Sequence, residues 1–394
     1  MSALHGVRVV DLSRVLAGPF ATMILADLGA EVIKVEPPGG DETRSWGPPY
    51  LAEEMSAYYL TVNRGKRSII VDFNDAEALQ SLKQLIRTAD VVVENFKPGT
   101  LKRWGLDWDT LKRDHPSLIY ASISGFGETG PERERPGYDF IVQAMGGLMT
   151  ITGQHDGPPL KVGVAVSDLA AGFYTVIGIL AALWERARSG EGQHIDTSLL
   201  DATVTLLANT ALNYFVSGNE PVRCGNAHPN IVPYEAFEAE DGLIVVAVGN
   251  DRQFRTFCRV IHREDLALNP SFSTNRDRVM HRSELVGDIS RTLKTKPARY
   301  WEDVFTKAGI PIGRVLSFGE LFSHPQILAR DMVKTLEHPT LGSIPQLGSA
   351  LKFSRTPVML GTPPPLPGEH TEVILEELRA KGEDRSKDRS KGEA

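Results

Sequence analysis

Five stretches rich in β-branched residues, separated by longer segments, set the strongest limit on what this chain can fold into. Val7–Asp11, Glu31–Glu36, Arg67–Asp72, Asp90–Phe96 and Leu118–Ser124 read as strands, and helices are expected over 18–28 and 75–88. The apolar residues run on without alternating, as in strands covered on both faces, and the β-α-β rhythm predicts a parallel sheet. The expected fold class is α/β, with a large Rossmann-like domain over 1–200 completed by a segment at about 335–380.

Beyond residue 200 the parallel rhythm fades. Asn230–Phe237 and Leu243–Gly249 read as two strands joined by a tight turn at Asp241-Gly242, followed by helices over 251–262 and around Tyr300–Phe305. These predict a smaller α+β domain over 225–320. The Pro363–Pro367 cluster reads as an extended connector, and a last helix near 371–379 is expected to pack back on the first domain. Residues 382–394, with Asp-Arg-Ser-Lys twice in tandem, are expected to form a disordered tail.

A hydrophobic fraction of 41% supplies substantial cores, and a net charge of −7 argues against general affinity for nucleic acid or anionic membrane. Small molecules are the expected partners. The sequence as given runs from its first residues straight into a strand, without room for a signal peptide. Its longest apolar run, Val176–Trp184, is interrupted by Gly178, so no membrane span is expected. Cys224 and Cys258 form neither a disulfide framework nor a metal-binding spacing, and a reducing, cytoplasmic setting is expected.

The stretch Gly163–Gly172 carries an extended apolar segment into a helix with one carboxylate, Asp168, at the join. Beyond Leu169, the residues Phe173, Ile177, Leu180 and Trp184 recur at three- and four-residue steps, predicting one buried face on a helix that runs to about Arg188 and stops at Gly190. Asp168 has two readings. It can cap the helix through its orphan N–H groups, or, held anionic by about 0.3–1 kcal/mol from the positive helix end, it can act as a nucleophile. The loops 126–139 and 153–160 combine turn formers with charges and are expected to rim one cleft.

Other chemistries lack their residues. The sequence contains no H-E-x-x-H, no paired C-x-x-C, no G-x-x-x-x-G-K-[ST] loop and no G-x-S-x-G elbow. His194 and Asp196 lie two apart on an expected strand and read as structural. Glu36 closes the second strand where dinucleotide-binding folds keep an acid, but Ser13–Met23 has one glycine and a proline in place of the glycine fingerprint.

Seven segments, in one order, carry a resemblance over residues 5–380. They are Val15–Phe20, Leu28–Glu36, Asn63–Ser68, Val93–Leu101, Gly153–Pro159, Val166–Gly172 and Gly190–Asp196. The chain resembles the class III CoA-transferases, a family that also contains α-methylacyl-CoA racemase. The resemblance implies an interlocked homodimer, no permanently bound cofactor and no metal, with coenzyme A and acyl-CoA as substrates and a carboxylic acid as acceptor. It makes the residue matching Asp168 the nucleophile, which forms a mixed anhydride and then an enzyme–CoA thioester. It places Val15, Asn95, Phe96 and Arg103 at positions that contact CoA. Three family positions differ here: a glutamine is Leu16, a basic residue is Pro37 and a lysine is Pro136.

Tyr138 stands where the racemases carry a histidine. A phenol, with an ordinary pKa near 10 against about 6.5 for imidazole, is a poor base near neutrality, by roughly 5 kcal/mol. Transfer is therefore favoured over racemisation, with a racemase or epimerase as the alternative and a CoA-binding regulatory protein as a third reading. Within the family, Thr43–Tyr50, Asn226–Phe237 and Val248–Phe254 resemble the succinyl-CoA:dicarboxylate transferases. That likeness suggests Arg44 or His228 as the cation for the acceptor's distal carboxylate, with Tyr138 beside them.

Overall fold

The computed structural model describes residues 2–52 and 55–380, so the expected tail at 382–394 lies outside the described residues. Six strands, β1 (Arg8–Asp11), β2 (Glu31–Glu36), β3 (Lys66–Ile70), β4 (Val91–Glu94), β5 (Ile119–Ser124) and β6 (His194–Ser198), form one sheet in the order β3-β2-β1-β4-β5-β6. Every pairing is parallel. This is the Rossmann strand order, in which the chain turns to opposite sides after β1 and β4 and leaves a crevice beyond their carboxyl ends.

The chain divides into two compact units. The larger comprises residues up to 149, 161–218 and from 326 onward, and the smaller comprises 150–160 and 219–325. In the larger unit one apolar layer joins Val9, Val32, Val91 and Ile119 to helices on one face. A second joins Val10, Ile33, Val92 and Tyr120 to Leu82, Leu85 and Ile374 on the other. Ile374 belongs to the closing helix at 371–380, which Arg67 also holds through Glu377 at 2.7 Å. The smaller unit is built on three antiparallel strands, β7 (Tyr234–Glu238), β8 (Leu243–Ala247) and β9 (Ile312–Arg314), with β8 central. Arg278, fully buried there, donates to the carbonyls of Val232 and Phe272 and to Asp251.

Two helices of the larger unit position the site. Helix α1 (Ala17–Asp27) follows β1 after a five-residue turn. Helix α3 (Val166–Ser189) crosses it and ends at Gly190, which takes the left-handed conformation at φ 78°. Between them in sequence lies the short helix α2 (Asp139–Met145).

The buried face of α3 differs from the sequence expectation. Phe173, Ile177 and Trp184 are 52%, 61% and 71% exposed, and the residues turned inward are Ala170, Ala171, Gly172, Thr175, Val176, Ile179 and Ala182. A close helix crossing selects small side chains. A Cβ on Gly172 would stand 2.9 Å from both the Ala17 carbonyl oxygen and Phe20 Cδ1. The helix is long and apolar enough to meet the composition of a membrane span, yet its small-residue face is packed against α1 and the sheet.

Candidate active site

At the carboxyl edge of β1, β4 and β5 lies a cavity of about 240 Å³ lined by Arg14 to Ala17, Asn95 to Pro98, Ile123 to Gly125, Arg135 to Tyr138 and Asp168. Asp168 enters it from the first turn of α3. Gly172, one turn further along the helix, lets α3 approach Ala17 closely and so brings Asp168 beside the start of α1. The first N–H groups of α1 have no partner within their own helix, and Leu16 and Ala17 line the same cavity.

Asp168 is not the cap of its helix. That task belongs to Asp139 at the start of α2, whose Oδ1 accepts the Ser167 N–H at 2.8 Å while Oδ2 accepts from Gln143 at 2.7 Å. The Asp168 carboxyl has no hydrogen-bond partner among the described residues. Burial, and secondly the nearby Asp139 carboxylate, push its pKa up to about 7. The expectation of a fully ionised carboxylate is thereby corrected: a rise from 3.8 to about 7 corresponds to about 4 kcal/mol, well above the 0.3–1 kcal/mol from the helix end.

A second cavity, of about 270 Å³, adjoins the first through shared walls at Arg14 and Phe96 and is lined by Pro37, Pro38, Phe73, Arg103 and Trp104. Arg103 stacks on Trp104, with its guanidinium carbon 3.6 Å from the ring centroid. Phe96 packs against Phe73, and its N–H is held by the buried Glu94 at 2.8 Å. Val15, Asn95, Phe96 and Arg103 therefore line two adjoining cavities, with Asp168 and the 56% exposed Tyr138 in the first. The Asn95 side chain, however, is engaged by the backbone of Arg14.

Arg44 is a correction. It is 2% exposed, its guanidinium is bound twice by Glu36 at 2.7 and 2.8 Å, and it donates further to Tyr59 and to the Pro365 carbonyl. It lines neither cavity and is not free for a substrate carboxylate. His228 belongs to the smaller unit, where Nδ1 accepts the Asn230 N–H at 3.1 Å and the ring lies 5.2 Å from Tyr234. The loop 153–160 also belongs to that unit. His194 has the structural setting expected, with Nε2 2.9 Å from Ser122 Oγ and its ring stacked on Trp108.

Four site residues escaped the sequence reading. Asp139 was hidden because its effect on Asp168 is repulsive and spans 29 positions. Arg14 and Arg135 line the first cavity from loops, paired loosely with Glu42 and Glu132. Tyr58, pushed up to about 12 by burial and then by Asp168 and Asp139, stays protonated and available as a donor.

A parallel sheet whose switch-point crevice presents an unpartnered carboxyl group has the ligand-site architecture of an α/β protein. Residues 4–371 match the model of CoA-transferase family III, and the chain belongs to that family. It is 48% identical over 382 residues to the succinate–glutarate CoA-transferase of Agrobacterium fabrum, covering 95% of each chain. Human succinyl-CoA:glutarate CoA-transferase is 44% identical over 376 residues, covering 95% of this chain and 86% of the other. The crystal structure of a CAIB/BAIF family protein from Brucella suis superposes with a TM-score of 0.86 at 44% identity, covering 96% of this chain and 99% of that one. CoA thioesters are thus the substrates of this enzyme.

Two measurements check the site. The carboxyl carbon of Asp168, followed by carbon NMR, should titrate near pH 7, and Asp139→Asn should move that midpoint lower; a midpoint near 4 in the wild type contradicts the geometry. Arg44→Met should cost about 3–5 kcal/mol of stability by leaving the buried Glu36 without its guanidinium partner. It should leave the acceptor KM of the folded fraction unchanged, read by chemical denaturation and steady-state kinetics.

Proposed function

We propose that the enzyme carries coenzyme A from succinyl-CoA to a dicarboxylic acid through covalent intermediates on Asp168. The observation that carries this reading is the free carboxyl of Asp168 in a cavity built for a long ligand, with a pKa near 7. A carboxylate of raised basicity is a better nucleophile, and near neutrality a substantial fraction is still ionised. The names of the two full-length relatives support succinyl-CoA and a dicarboxylate as the substrate pair.

The chemistry balances as four acyl exchanges. An Asp168 oxygen attacks the thioester carbonyl and expels the CoA thiolate, leaving a mixed anhydride. The thiolate attacks the aspartyl carbonyl, breaks the anhydride C–O bond and releases succinate, leaving an aspartyl–CoA thioester. The acceptor carboxylate attacks that thioester and expels the thiolate again. The thiolate then takes the acceptor acyl group and returns Asp168 to its carboxylate. No step changes an oxidation state, so the reading includes no metal and no permanently bound cofactor. Each tetrahedral oxyanion needs preorganised donors. The N–H groups of Leu16 and Ala17 and the Tyr58 hydroxyl are the donors we assign.

In this reading the nucleotide end of CoA lies by Arg103, whose guanidinium suits a phosphate, while Val15 and Phe96 flank the arm that reaches Asp168. Tyr138, with Arg14 or Arg135, meets the acceptor's far carboxylate. The loose glutamate pairs of these arginines cost little to exchange. A cytoplasmic setting belongs to the same reading and is supported by two unpaired cysteines.

A homodimer also belongs to it. The exposed stripe Phe173, Ile177 and Trp184, and the exposed Phe215 and Val216 at 71% and 84%, are large apolar side chains that a partner copy would cover. Sedimentation should give twice the 43.2 kDa chain mass. A monomer at micromolar concentration contradicts the dimer.

The decisive assay incubates the protein with succinyl-CoA and a panel of mono- and dicarboxylates, follows new acyl-CoA by mass, and traps the enzyme thioester with hydroxylamine. Dicarboxyl-CoA products and modification of Asp168 are expected, with turnover lost by at least about 1,000-fold in Asp168→Ala. Near wild-type turnover in that variant overturns the mechanism. Exchange of the α-proton without CoA transfer points instead to a racemase.

A further inference from the structure

We infer that Asn95 is a positioning residue whose carboxamide holds the turn between β1 and α1 in the strained conformation that presents Leu16 and Ala17 to the reactive carboxyl. The inference rests on the transferase reading above and adds a role for a residue expected to touch CoA directly.

Both backbone polar groups of the two residues before the strained position are held. The Ser13 N–H donates to Asp11 Oδ1 at 3.0 Å, and its carbonyl accepts from Lys34 Nζ at 3.0 Å. The Arg14 N–H donates to Asn95 Oδ1 at 2.9 Å, and the Arg14 carbonyl accepts from Asn95 Nδ2 at 2.7 Å. The next residue, Val15, has φ 69°. A β-branched side chain is among the least suited to that region, and such a conformation persists only where its surroundings over-determine it. Leu16 then turns sharply, at φ −131° and ψ −60°, into the helix.

The paired bonds to Arg14 occupy one donor and one acceptor site of the carboxamide, oriented by each other, so it acts as a backbone clamp across the switch-point crevice. Glu94, by accepting the Phe96 N–H, steadies the other side of the same loop. Val15 packs against a small buried cluster of Leu16, Met23 and Val62, which Tyr58 and Leu169, the neighbour of Asp168 in sequence, also cover. Tightness is evident at Gly18, where a Cβ would fall 2.3 Å from the Ser13 side chain. If the clamp is released, Val15 relaxes toward negative φ, and the N–H groups of Leu16 and Ala17 rotate away from the carboxyl.

The test is a double-mutant cycle with Asn95→Ala and Val15→Gly, measured for kcat and for the KM of succinyl-CoA. Asn95→Ala should lower kcat about 10- to 100-fold, the scale of a small misplacement of reacting groups, with a much smaller change in KM. Asn95→Asp, close to isosteric and so less exposed to folding failure, should also lower kcat, because a carboxylate oxygen then faces the Arg14 carbonyl. Glycine holds φ 69° without strain, so Val15→Gly should restore kcat in either Asn95 background more than its own effect predicts. A direct CoA contact predicts the reverse: a raised KM, a preserved kcat and no rescue, and that result overturns the inference. Crystal structures of the Asn95 variants give a readout independent of turnover, in which Val15 should leave the left-handed region. Retention of φ near 69° overturns the clamp. Should the wild type transfer CoA to no acceptor, the transferase reading fails, and the Val15 conformation still decides the clamp.

Discussion

Four charges sealed beneath the first turn of the sheet hold the rest of the site in place. Asp11, Lys34, Asp41 and Lys66 have side chains no more than 1% exposed. Burying such groups costs several kcal/mol each unless the geometry fills their bonding sites. Here it does. Lys66 donates to Asp11, to the Pro19 carbonyl and to Asn63, spending all three of its protons. Asp11 accepts from Lys66, Thr22 and both polar groups of Ser13. Burial works to raise the pKa of Asp11, but Lys66 and Lys34 outweigh it and leave the carboxyl below its ordinary value, while burial pushes Lys66 down to about 8. An apolar plug of the same volume could be as stable. It could not bond to the carbonyls of Ser13 and Pro19, and so could not fix where β1 ends and α1 begins.

The same balance between burial and charge runs the other way at Asp168. Asp11 meets two ammonium groups and stays ionised; Asp168 meets a second carboxylate and no cation, and its proton is retained to near neutrality. The two aspartates occur in one unit, both close to α1. What separates a structural anion from a reactive one is the partner set, and the partner set is chosen by tertiary contacts rather than by the residues next to each in sequence.

That distinction explains what could be read from the sequence. The strands were legible because continuous β-branched runs have one stable use, a sheet covered on both faces, and Gly190 marked the end of α3 by its conformational freedom at positive φ. Which side of α3 faces inward was not legible. The helix carries a stripe of large apolar residues and a stripe of small ones, and periodicity favours the large stripe, whereas the close crossing over Gly172 requires the small one. Arg44 shows the same limit: its segment resembles the dicarboxylate transferases and an acceptor carboxylate asks for a cation, but folding pairs it with Glu36 at the end of a strand. Lys34 and Lys66 did carry a signal. A lysine inside a strand covered on both faces must have a buried counter-ion, and the network is where those two are satisfied. Asp139 left no local trace, because like charges brought together by folding follow no spacing rule.

The two stripes of α3 link assembly to chemistry. Its small side sets the approach of Asp168 to α1, and only glycine at 172 permits that approach. Its large side, in the proposed dimer, is where the partner copy packs. Any displacement of α3 transmitted from that interface changes the distance between the Asp168 carboxyl and the first N–H groups of α1, since a rigid helix moves as a unit and packed small residues leave no slack. The hydrogen bonds that fix the turn before Val15 come from side chains of β1, β2 and the loop after β4, none of which lies on α3. One reacting surface is thus anchored chiefly to the sheet and the other to α3.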